Sequence, residues 1–196
     1  MQATVSPAEW ADKTPEEIFR GHSATVAKRL LDLGVATLGL VVLLPVLLAI
    51  AIAVKVDSRG PVLFVSRRLG RNGRVFHCLK FRSLTQDGRE TGLGSLLRRY
   101  GLDELPQLVN VIRGEMSVVG PRPLLASDCP RGEVRRLKRF ELMPGMTGLW
   151  AAHEAESMPF ASYISPDETY RNNWSIWLDV VIVMRSTGAA LAGRGR

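Results

Sequence analysis

The residues best suited to chemistry sit together in the middle of the chain. Asp103 and Glu104 open the segment Leu102–Gly114, LDELPQLVNVIRG, whose apolar spacing and terminal glycine read as a helix with Asp103 as its N-cap and Gly114 as its C-cap. Pro106 would fall in the first turn, where a missing N–H costs least. A carboxylate at a helix start is held ionised by the free N–H groups, which suits a nucleophile, a magnesium ligand or plain capping. Just downstream, Gly120-Pro121-Arg122-Pro123 sets an arginine between two prolines, so its guanidinium can be presented to a phosphate at low entropic cost. Upstream, the alternation Lys80-Phe81-Arg82 predicts a strand with both cations on one face, a pair that suits phosphate oxygens or simply water.

The elements that must position these groups are partly legible. Pro61 to Phe64 and Val75 to Phe81 read as two strands joined through the turn Arg71-Asn72-Gly73-Arg74, with its Asn-Gly signal. Residues 33 to 54 form a run of 22 without a charge, long enough as a helix to span a bilayer. Lys28 and Arg29 precede this run and Lys55, Arg59, Arg67 and Arg68 follow it, so positive charge draws both ends to the same side of a membrane. Pro45 in its middle removes a backbone hydrogen bond. A kinked helix that enters and leaves by one face reconciles these features; a single span bent at proline is the alternative. Before it, Ser6–Glu9 and Thr14–Glu17 have the pattern of two short capped helical turns. Neither a basic start nor an apolar stretch marks the first 27 residues as a signal peptide. The run Arg131 to Arg139, with five cations and one acid, has the spacing of an amphipathic helix that would lie on anionic headgroups or face water. Trp174 and Trp177 precede a short apolar stretch, Val180 to Met184, that suits either a membrane interface or a packed helix.

Charge narrows the partner. The formal net charge is +7, and between Lys55 and Tyr100 eleven Lys or Arg face three acids, so the anion-binding surface lies there. Nucleic acid would suit the charge, but the aromatic interleaving of a single-strand platform is missing and no nucleic-acid partner is expected. Cys78 and Cys129, with three scattered histidines, form neither a disulfide framework nor a zinc pattern.

Taken in order, Lys28-Arg29 through Asp32, Lys80 through Ser83, the block LDELPQLVNVIRGEMSVVGPRPL from Leu102 to Leu124, Pro144 through Trp150, and Tyr170 through Asp179 resemble the bacterial sugar transferases, small monotopic phosphoglycosyl transferases. The resemblance covers about residues 28 to 190. It implies an α+β fold, mostly α, with a re-entrant helix broken at Pro45, a small β-hairpin and amphipathic interfacial helices. The implied domains are an N-terminal cytoplasmic extension at 1–27, the re-entrant helix at 28–56, a catalytic domain at 57–190 and a basic tail at 191–196. The implied reaction moves a sugar-1-phosphate from a UDP-sugar to polyprenyl (undecaprenyl) phosphate. Asp103 attacks, UMP leaves, and the lipid phosphate resolves an aspartyl-phosphosugar. Magnesium is the implied cofactor, with Asp103 and Glu104 as ligands, Glu104 otherwise handling protons. Arg122 matches a phosphate-clamping arginine, and Arg98, Lys80 and Arg82 match further basic positions. The place of action would be the cytoplasmic face of the bacterial inner membrane, among its lipids, and a homo-oligomer is compatible with this reading.

Two departures stand out. Leu44 precedes the helix-breaking proline where serine is frequent, and Ala151 to Ser157 replaces the usual glutamine and Gly-Arg pair after Trp150. The second leaves a different class of role in view, a catalytically silent membrane scaffold of the same fold.

Overall fold

The computed structural model describes residues 15–85, 87–125, 127–129, 137–152 and 164–193. The turn expected at Ser6–Glu9, the cationic run up to residue 136, the divergent loop from residue 153 and the end of the basic tail lie outside them. The chain enters α1, Pro15–Asp57, with proline at its first position, and the helix continues through Pro45 for 43 residues. The second expected N-terminal turn is therefore the start of α1, and the boundary read at 27/28 falls within a continuous helix. Val26–Asp57 is long and apolar enough to cross a membrane, with 11% of its most apolar window buried inside the protein.

Both limbs of α1 pack on the rest of the chain. Ala36 is buried with Phe76, Cys78, Leu108, Val111 and Met116, while Ile50 and Val54 are buried with Phe81 and Leu97. Between them, Val41, Val42, Leu44 and Val46 are exposed.

The hairpin expected around Asn72-Gly73 is present. Strand β1, Leu63–Leu69, pairs antiparallel with β2, Val75–Phe81, in the register Phe64 opposite Lys80 and Arg68 opposite Phe76. Asn72 takes the left-handed φ of 56° that the turn requires. A two-residue strand β4, Leu124–Leu125, joins the other side of β1, which leaves β2 at the sheet edge. A second, parallel pair was not expected: β3, Ser117–Val119, with β5, Gly145–Thr147. Three residues per strand are too few for periodicity to reveal. The remaining helices are α2, Gly94–Arg99; α3, Gln107–Arg113; α4, Ile164–Asn172; and α5, Ile176–Leu191. On α5 Asp179 and Ile182 are buried while Trp177, Met184 and Leu191, seven residues apart, stay exposed in one line.

The helix read across Leu102–Gly114 is divided. A 3-10 turn spans Leu102–Glu104, α3 begins after Pro106, and only the glycine C-cap stands as expected, with Gly114 at φ 80°. The bonds across the join are of the i→i+3 kind, from the Leu105 N–H to Leu102 O and from the Leu108 N–H to Leu105 O, so the α-helical ladder begins only after Pro106. Asp103 consequently lies inside the 3-10 turn rather than capping a helix.

Asn110 fastens α3 to the open edge of β2. Its amide oxygen accepts from the Leu79 N–H (3.0 Å), and its amide nitrogen donates to the His77 carbonyl (2.8 Å) and to Glu115 (2.6 Å). One side chain thus acts as a missing strand, fully buried. Asn110→Ala would strand two main-chain groups and cost about 3 kcal/mol. A melting temperature lowered by roughly 5–10 °C is expected; an unchanged one would mean that α3 is held by its apolar contacts alone.

Candidate active site

The register of the hairpin puts Phe76, Cys78 and Lys80 on the same face as Arg68, and α3 is pinned beside that face by Asn110. Lys80 thereby meets Glu104, Nζ to Oε1 at 2.6 Å. Around this pair lies a small cavity of about 20 Å³, open to solvent, whose polar lining includes Arg68, Gln107 and Arg122, with Trp150 as one wall. Three cations and one carboxylate make it a site for an anion. Asp103, next to Glu104, is buried at 7% exposure.

The Gly120–Pro123 loop that carries Arg122 has all four main-chain carbonyls occupied. Gly120 O accepts from the Trp150 indole (2.9 Å), Pro121 O from the Gly145 N–H (2.8 Å), Arg122 O from Arg139 (2.7 Å) and Pro123 O from Arg68 (3.1 Å). Two prolines remove donors and fix φ, so few torsions remain. The Arg122 guanidinium lies over the Trp150 ring, 4.9 Å from its centroid.

Not every basic candidate gathers here. Arg82 is buried at 9% exposure at the end of α1, where its guanidinium donates to the carbonyls of Arg59 (2.7 Å), Ser58 (2.6 Å) and Val54 (3.3 Å) and to the Ser58 hydroxyl (2.9 Å). The expected common face of Lys80 and Arg82 is lost because β2 ends at Phe81, and the orphaned carbonyls of a helix C-terminus draw the guanidinium. Arg98, in the last turn of α2, pairs with Glu90 at 3.2 Å and does not line the cavity. Conversely, Arg68 and Gln107 were not among the expected site residues. Arg68 could have been found from the hairpin register, which gives it the face of Lys80.

Two ionic clusters tie the surrounding elements together. Lys28 lies 2.9 Å from Asp32 and 3.0 Å from Asp179, and donates to Ser117 at 2.6 Å, so the base of α1 is tied to β3 and α5. Tyr170 donates to Asp179 (2.8 Å), and burial, reinforced by that carboxylate, pushes its phenol well above the usual range. On the other side, buried Arg139 and Asp167 face each other at 3.1 Å. Burial outweighs the guanidinium and pushes the Asp167 carboxyl from 3.8 up to about 7. The folded protein then holds this proton more tightly than the unfolded chain does. The resulting stability is full below about pH 4 and fades as pH rises through 7. The melting-temperature advantage of wild type over Asp167→Asn should be larger at pH 5 than at pH 8; parallel pH curves would contradict this origin.

For magnesium, the described residues hold no group of three or more His, Cys, Asp or Glu. Two adjacent carboxylates, Asp103 and Glu104, would suit the ion's ordinary use of one or two protein carboxylates beside water and substrate phosphates, although Glu104 is already paired with Lys80.

A model of the family described as bacterial sugar transferase matches residues 23–193. The chain is 34% identical over 198 residues to the exopolysaccharide production protein ExoY of Sinorhizobium fredii, covering 87% of this chain and 88% of that one. It is 40% identical over 181 residues to a UDP-glucose:undecaprenyl-phosphate glucose-1-phosphate transferase of Klebsiella pneumoniae, covering 81% of this chain and 38% of the relative. With a UDP-galactose-lipid carrier transferase of Erwinia amylovora it shares 36% over 204 residues, 89% of this chain and 42% of the relative.

Proposed function

The chain belongs to the bacterial sugar transferase family and is a phosphoglycosyl transferase, and from that premise we propose that it transfers a sugar-1-phosphate from a UDP-sugar to undecaprenyl phosphate through a covalent intermediate on Asp103. The observation that carries the reading is the cavity itself, where a rigid Arg122 and the cations Arg68 and Lys80 meet Glu104, the chain neighbour of Asp103. A carboxylate oxygen of Asp103 attacks the sugar-bearing phosphorus, the bond from that phosphorus to the bridging oxygen breaks, and UMP leaves with its electron pair. A phosphate oxygen of the lipid then attacks the same phosphorus, giving polyprenyl diphosphate sugar and free Asp103. Arg122, Lys80 and Arg68 hold the diphosphate and offset its charge. Lys80 pairs with Glu104 beside them. Magnesium bound by Asp103 and Glu104 would further neutralise the phosphates.

The lipid acceptor requires the site to meet a membrane from one side, and α1 supports that arrangement. Its N-terminal flank is fastened by Lys28 and Arg29 to Ser117 and to the Val111 and Ile112 carbonyls, its C-terminal flank by Arg82. One folded unit therefore grips both ends of the apolar run. A single crossing would separate those ends by about 30 Å of hydrocarbon. In this reading α1 is re-entrant, with its exposed apolar middle in the bilayer and the line Trp177, Met184 and Leu191 at its surface, and the cavity would face the cytoplasm at the inner membrane.

The test is UMP release by detergent-solubilised protein from a panel of UDP-sugars with undecaprenyl phosphate and magnesium. Release with one donor supports the reading and names the sugar. Silence from folded protein across the panel would favour the scaffold role.

A further inference from the structure

We propose that Asp167 and Arg139 are positioning residues for donor binding: their buried pair holds the main chain of Arg122 and, through it, the direction of the guanidinium that meets the diphosphate. The inference rests on the reading of Arg122 as a phosphate clamp.

Arg139 and Asp167 are 5% and 2% exposed. A buried ion pair is an expensive way to join two elements, because desolvation consumes much of its attraction. The joint it spans is moreover already made at the surface. Arg171 of α4 donates to Glu141, in the same 3-10 turn as Arg139, at 3.0 and 2.8 Å. What the buried pair adds is a donor aimed at one atom, since Nη2 of Arg139, 3.1 Å from Asp167, also donates to Arg122 O at 2.7 Å.

That carbonyl is an effective place to hold. Pro123 follows it and restricts Arg122 to extended backbone, and fixing the oxygen sets the remaining torsion. The Cα–Cβ direction of Arg122 follows from that torsion, and Trp150 references the far end of the side chain. The Trp150 indole is itself anchored on Gly120 O, so both ends of Arg122 are located against the same loop. Asp167 needs no contact with substrate for this purpose. Once ionised, above about pH 7, it gives Arg139 its counter-ion and hence its fixed orientation. Binding then meets an arginine already in place instead of one that must be ordered.

UDP, which carries the uridine and diphosphate common to every UDP-sugar, is the probe. Its dissociation constant is measured at pH 8, where Asp167 is ionised, by calorimetry on the full, detergent-solubilised chain, well below each variant's melting temperature. Asp167→Asn and Arg139→Lys should each weaken UDP about tenfold, as misplacement of a binding group does. The double variant should be little worse than either alone, because the two act as one unit. Asp167→Glu should recover part of the loss. Arg171→Ala, which breaks only the surface joint, should stay within about twofold of wild type by this measure. With a donor that turns over, KM should rise more than kcat falls. The proposal is overturned if Asp167→Asn and Arg139→Lys bind UDP like wild type while Arg122→Ala is weakened. It is also overturned if the losses simply follow the fraction unfolded. Unchanged binding in Arg122→Ala would instead locate the error in the role given to Arg122.

Discussion

Asp103→Asn abolishes turnover, with UMP release falling by at least about 10³-fold, the scale on which a covalent nucleophile contributes. The substitution keeps the size and shape of a side chain that is 7% exposed inside a 3-10 turn, so the fold has little reason to change. What disappears is the anionic oxygen that forms the bond to phosphorus. A second measurement separates loss of the nucleophile from loss of binding. Wild-type protein given the UDP-sugar without lipid acceptor should gain the mass of one sugar phosphate while releasing one UMP, and the variant should gain none. If Asp103→Asn kept a tenth of wild-type release, the covalent route would have to be abandoned in favour of direct attack by the lipid phosphate.

Gly145→Ala is expected to cost about 3 kcal/mol or more, together with most activity, although it adds one methyl group. Gly145 starts β5, and a Cβ there would fall on the main chain of Gly120 and on the Thr147 carbonyl, with the Gly120 Cα 2.7 Å away. Main chain cannot swing aside as a side-chain tip can. The β3–β5 pair must part, and the hydrogen bond from the Gly145 N–H to Pro121 O goes with it. Gly188→Ala on α5 is the matched control, since its methyl would meet nothing within 4 Å. There the change should be neutral or stabilising by up to about 1 kcal/mol. Equal thermal shifts in the two variants would refute the argument from close approach.

What could be read beforehand divides by the range of the interactions. The Asn72-Gly73 turn and the cap at Gly114 are decided within a few residues, and both are where local chemistry places them. Asp103 departs from its expected place because a 3-10 turn and the first turn of an α-helix draw on the same residue pattern. Arg82 is different. Its partners are 23 to 28 residues away, at the end of a helix whose position beside β2 no short pattern encodes. The same holds for the Arg122 loop. Its prolines announced rigidity, but the donors that occupy its carbonyls come from β1, from β5 and from two 3-10 turns. Family resemblance located the loop and the dyad without supplying those partners. Trp150 shows the gap, quoted as part of a motif while its bond to Gly120 O emerges only from the fold.

The fastening of α1 bears on how the protein is made. Synthesis runs from the N-terminus, so the apolar helix leaves the ribosome long before the residues that anchor its base. Lys28 meets Ser117 across 89 positions, and Asp179 comes later still. Until α5 has emerged, Lys28 lacks one of its two carboxylate partners and Tyr170 lacks its acceptor on Asp179. The first long element to form is thus among the last to be locked. A nascent chain halted before residue 179 would carry a greasy helix with an unfinished foot, the state most in need of lipid or a chaperone.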